Sequence, residues 1–142
     1  MPVLCRFHAT FRAAAAGALF PLLGLGCSDA LGPSPCLSGM SFVVGAGTQP
    51  TFDWHPACGV NGLTVRAVEN PDEAIWGLGS PSTSNAVRPP IQYGKIPSGV
   101  SGTAPTPALI AGSTYRLTLY VWLESPVPPS QRQVLDSVDF VP

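Results

Sequence analysis

The chain has 142 residues and a formal net charge of −1, and only 11% of its residues are charged. So few charges leave no basic face able to displace counterions, which argues against a nucleic-acid partner. An apolar share of 45% supplies a core, while 17 Pro and 15 Gly spread along the chain argue against long helices and for short strands joined by turns.

Residues 1–12 carry Arg6 and Arg12 and no acid, and residues 13–26 form an uncharged run that includes Ala13-Ala14-Ala15-Ala16 and Leu19-Phe20-Pro21-Leu22-Leu23. A positive start, a short apolar middle and small residues at the end make a secretory signal. The run is shorter than the roughly 20 apolar residues that cross a bilayer as a helix. Pro21, Gly24 and Gly26 speak against a buried core helix. Its end, Leu23-Gly24-Leu25-Gly26-Cys27, resembles the lipobox of bacterial lipoproteins, with Gly24 where that family favours Leu. The resemblance implies cleavage after Gly26, diacylglycerol on the Cys27 sulfur and a further chain such as palmitate on the new amino terminus. Two or more chains anchor stably, at about 0.8 kcal/mol per buried methylene. Ser28 follows the cysteine, where Asp would favour retention at an inner membrane. The expected location is therefore the bacterial cell envelope, at the outer membrane.

Cysteine parity bears on the same point. Cys5 leaves with the signal, and the exported part keeps Cys27, Cys36 and Cys58, an odd number for an oxidising compartment. Lipidation of Cys27 leaves Cys36 and Cys58 as a disulfide pair. The alternative is a metal site that adds His55, three residues before Cys58. Two thiols and one imidazole fall short of a closed zinc tetrahedron. The expected organisation is a signal over residues 1–26, an anchored tether over 27–35, and a folded domain over 36–142. From Cys27 onward five basic residues face eight acidic ones.

Met40 to Val44 reads as a first strand, ended by Gly45-Ala46-Gly47. The next, Thr51 to Pro56, sets Phe52 and Trp54 on one face at period two. Residues 63–68 alternate cleanly, with Leu63, Val65 and Ala67 inward and Thr64 and Arg66 outward. Asn70-Pro71-Asp72 is a turn signal before a short strand, Ala74-Ile75-Trp76. Ile91-Gln92-Tyr93 is a further short strand between two loops, residues 81–90 and 97–107. The clearest strand is residues 115–123, and residues 134–140 close the domain, with Asp136 on the parity of Val134, Val138 and Phe140. About seven short strands predict an all-β fold, a single antiparallel sandwich.

Leu109-Ile110-Ala111-Gly112-Ser113-Thr114-Tyr115, followed by Leu117 and Leu119, resembles the E–F corner of fibronectin type III domains, an immunoglobulin-like fold. The resemblance implies that Tyr115 is a structural corner tyrosine, its ring in the core and its hydroxyl bonded to nearby backbone. It also makes Trp54 the buried tryptophan of the second strand.

No catalytic set emerges. His55 is the sole histidine after Cys27, and no Gly-x-Ser-x-Gly elbow accompanies it, which disfavours a small hydrolase. Glu69, Asp72 and Glu73 form an acidic turn that lacks the spacing of a dedicated calcium loop. No cofactor or metal is expected. With Tyr115, Leu117, Leu119, Val121 and Leu123 facing the core, Tyr120 and Trp122 face outward beside Arg66, with Trp76 as a further contributor. Outward aromatics can stack on sugars or on a protein partner; the competing reading is that a loop such as residues 81–90 covers them. The expectation is a non-catalytic adhesion, scaffold or accessory module binding an envelope protein, or, alternatively, a polysaccharide through Tyr120 and Trp122.

Overall fold

The computed structural model describes residues 36–37, 39–81, 83–123 and 131–142. The expected signal over residues 1–26, the expected lipid site Cys27 and the expected tether over residues 27–35 lie outside the described residues. Eight strands follow in chain order among them: β1 (Ser41–Val44), β2 (Thr51–His55), β3 (Gly62–Ala67), β4 (Asn70–Gly79), β5 (Ile91–Gln92), β6 (Ser101–Gly102), β7 (Tyr115–Leu123) and β8 (Gln131–Phe140). They form two antiparallel sheets, β1-β2-β5 and β6-β4-β3-β7-β8.

Alternation explains the packing. Phe52 and Trp54 on β2, Leu63 and Val65 on β3, and Leu117 and Leu119 on β7 are all fully buried, with one shared core between the sheets. Phe52 is the bridging side chain, its ring 5.4 Å from Phe140 and 6.3 Å from Trp76. Each such burial contributes about 1.5–3 kcal/mol. Cys36 and Cys58 are joined by a disulfide, and the Cys36 N–H donates to Gly59 O at 3.1 Å, fixing the start of the domain to the β2–β3 connection. With both thiols consumed, a metal site with His55 loses its ligands; His55 is exposed at the end of β2. Tyr115 is buried, and its hydroxyl accepts from the Ile110 N–H at 2.9 Å, the bond anticipated for a corner tyrosine.

Three expectations are corrected. First, residues 70–72 lie in β4 and not in a turn, because Ala67 pairs with Asn70 and Arg66 with Ala74. Pro71, Asp72 and Glu73 are extra residues that swell out of the ladder, all exposed. Second, residues 97–107 are not only loop: Ser101 and Gly102 add β6 to the edge of β4. Third, Val134 does not share a face with Val138 and Phe140. Leu119 pairs with Asp136 but Tyr120 with Val134, so Leu135 is a bulged extra residue and Val134 turns outward, 63% exposed. A bulge with an inward-turned acid on a long edge strand discourages pairing with another chain.

Candidate functional site

Strand register sets the outer face of the larger sheet. Opposite residues of an antiparallel pair share a face, so Arg116 with Asp139, Thr118 with Ser137, Tyr120 with Val134, and Trp122 with Arg132 all point outward. Thr64 and Arg66 of β3 lie beside them, opposite Thr118 and Arg116.

Tyr120 is the hub of this face. Its hydroxyl shares a hydrogen bond with Thr64 Oγ1 at 3.3 Å and accepts a long one from Arg66 Nη1 at 3.5 Å. The guanidinium carbon of Arg132 stands 4.1 Å from the centre of its ring, a cation–π contact. Tyr120 is therefore half-buried, and the ring face turned to Arg132 is already occupied.

The arm of Arg132 crosses the sheet from β8 over β7 to β3. A Cβ at Gly62 would stand 2.6 Å from Arg132 Nη2 and would also run into Leu78 O, so the bare backbone of Gly62 makes room for the guanidinium. The arginine thereby borders a shallow depression of about 320 Å³, floored by Gly77, Gly79 and Gly102 and edged by Thr64 and Ser101. On the other side of Tyr120 a second depression, about 280 Å³, is lined by Arg66, Arg116, Thr118, Val134 and Pro71. Both are small beside typical ligand pockets and fit one ring or one anionic group.

The arginines are engaged differently. Arg116 makes a two-pronged pair with Asp139, Nε to Oδ1 at 2.6 Å and Nη2 to Oδ2 at 2.9 Å. Hydrogen bonding to Asp139 pushes the Arg116 pKa up, and the same bond from Arg116 holds the Asp139 carboxyl below the usual range. It is the one ion pair among the described residues, so Arg132 and Arg66 face no acid there. Arg66 Nε is buried without a hydrogen-bond partner.

Of the residues expected on a binding surface, Tyr120, Trp122 and Arg66 come together on this face and Trp76 does not. Trp76 is fully buried, its ring 5.1 Å from that of Tyr93 and opposite Val65 in the register. The reason is the same swelling of β4: the extra residues 71–73, and Ile75 after them, bring Trp76 onto the inward side. Trp122 is half-buried, and Asn85 holds its backbone. The Trp122 N–H donates to Asn85 Oδ1 at 2.8 Å, and Asn85 Nδ2 donates to Trp122 O at 3.0 Å. The 84–87 segment thus reaches this strand, tied down further by the Val60–Val87 bridge and by Asn61 Nδ2 donating to Ser84 O at 2.7 Å. No cluster of three or more metal-ligating side chains occurs among the described residues; around the acidic turn the Asn70 amide donates to Glu73 at 3.5 Å.

Sequence reading missed Arg132 and Asn85. The glycines were the available signal for Arg132, since Gly in a strand marks a close approach by another group, and Gly62, Gly77 and Gly79 fall on one face. Comparison with known proteins gives no match: no family model fits the chain, and no curated protein and no solved structure matches it.

Proposed function

We propose that this chain is an envelope lipoprotein, anchored through acyl chains on Cys27, whose fibronectin type III-like sandwich is a non-catalytic adhesion, scaffold or accessory binding module. The strand order supports the domain type: in chain lettering β1-β2-β5 corresponds to A-B-E and β3-β7-β8 to C-F-G, with β4 as C′. The Tyr115–Ile110 bond supports it as well. The observation that carries a binding role is the outer face around Tyr120, where two arginines without acidic partners among the described residues flank the ring beside two open depressions. Fractionation tests the anchor: a Cys27→Ala chain leaves the membrane fraction, and a variant that stays with the membrane defeats the proposal.

The glycine floor and the hydroxyls of Thr64 and Ser101 favour a second reading within the first, in which the partner is a polysaccharide. Tyr120 then serves as a support for Arg132 and not as the stacking platform. A glycan array with the full chain separates this reading from a protein scaffold; binding to no glycan rejects it.

A further inference from the structure

We infer that Arg132 is the anion-reading residue of a saccharide subsite, and that the sugar it takes carries a carboxylate, as a uronic acid does. The inference rests on the polysaccharide reading of the same face and adds the chemical class of the ligand.

Three observations converge on it. Arg132 is exposed, yet its guanidinium is fixed from below by the Tyr120 ring at 4.1 Å. That ring is itself held by its bonds to Thr64 and Arg66, at 3.3 and 3.5 Å. A stacked guanidinium keeps the donors of its planar fork free, and that fork matches a carboxylate in two parallel bonds. Holding the side chain in place beforehand lowers the ordering cost of binding.

The second observation is charge. Arg116 stands on the same face and spends its fork on Asp139. Arg132 meets no carboxylate among the described residues, which leaves its fork open to an anion supplied by a ligand.

The third is what adjoins the guanidinium. The depression beside it is lined by Gly77, Gly79, Gly102, Thr64 and Ser101. Ser101 Oγ donates to Gly79 O at 3.1 Å, which leaves the hydroxyl its capacity to accept. Glycine leaves backbone open to a flat ring, and hydroxyls pair with hydroxyls. An acidic peptide is the poorer fit, because extended peptides are taken at sheet edges with pockets for alternate side chains. Although Arg132 springs from an edge strand, its guanidinium reaches inward to Gly62, and the depression lies over β3 and β4 and not along the unpaired backbone of an edge.

The test is calorimetric titration of the full chain, kept in detergent, with trigalacturonate, neutral galactotriose, poly-glutamate and inorganic phosphate as separate probes. The expected result is saturable, salt-sensitive binding of trigalacturonate alone. Arg132→Gln weakens it at least tenfold without moving the melting temperature, and Arg132→Lys restores less than half of the lost affinity, because an ammonium lacks the planar fork. Equal binding of trigalacturonate and galactotriose, or an unchanged affinity in Arg132→Gln, overturns the role of Arg132 while leaving the polysaccharide reading intact. Binding of poly-glutamate or phosphate in place of the uronate, or of no probe, overturns the inference itself.

Discussion

Leu119 and Tyr120 are neighbours on β7, and one peptide bond separates two different environments. Leu119 is fully buried among apolar side chains from both sheets. Tyr120 is half-buried, ringed by a threonine and two arginines. The same contrast runs the length of the sheet. Its inner face is apolar from Tyr115 to Val121, whereas its outer face combines Arg116, Thr118, Tyr120 and Trp122 with the strand glycines. Burial makes the first face a source of stability. The second exposes prearranged donors and open backbone, which suits recognition. Substitutions on the two faces should therefore separate stability from binding.

The sharpest contrast is between Leu119→Ala and Arg132→Gln. Leu119→Ala removes buried methylenes and leaves a cavity, and should cost about 2–5 kcal/mol. Arg132→Gln should leave the denaturant midpoint in place. A Leu119→Ala chain as stable as the parent would remove the distinction between the faces. Reducing the Cys36–Cys58 bond should cost about 3 kcal/mol by freeing the unfolded chain, measured as a shift in urea midpoint with and without reductant. Tyr115→Phe deletes the hydroxyl that accepts from Ile110 and should cost about 1 kcal/mol, again read as a midpoint shift.

Tyr93 extends the comparison to pH. Burial, with a smaller push from Tyr115, raises its pKa from 10.0 to about 12, and its hydroxyl donates to Pro107 O at 2.8 Å. The neutral form is favoured in the folded state. Its contribution is fully present below the unfolded pKa and is lost as pH rises through about 12. Stability should decline over that window, with a smaller decline in Tyr93→Phe. Asp139 behaves oppositely: its pKa is lowered, so the Arg116 pair contributes above the ordinary carboxylate range and is lost on acidification. Both partners are well exposed, and Asp139→Asn should move the midpoint less than the changes at Leu119, Tyr115 or Tyr93.

Much of the inner face was legible in the sequence, because burial imprints a period of two. Phe52 with Trp54 and Tyr115 with Leu117 and Leu119 declared their side by alternation alone, and Cys36 and Cys58 were the pair expected once Cys27 was set apart as the lipid site. What escaped depends on register between distant segments. The swelling at residues 71–73 turns Trp76 inward, and the Leu135 bulge turns Val134 outward; no local pattern marks either. The two residues of β6 are a strand only because β4 is beside them. Asn85 acts on a backbone 37 residues away, and Arg132 acquires its position from Tyr120 beneath it and from the missing Cβ of Gly62. A site made by cross-strand geometry is written in pairs of residues, and a single sequence shows such pairs only faintly.

The anchored-module reading meets its most direct test in the intact mass of the chain extracted from membranes. A polypeptide beginning at Cys27, heavier by a diacylglycerol group and a further acyl chain, is the expected result. An unmodified polypeptide that begins elsewhere would contradict it.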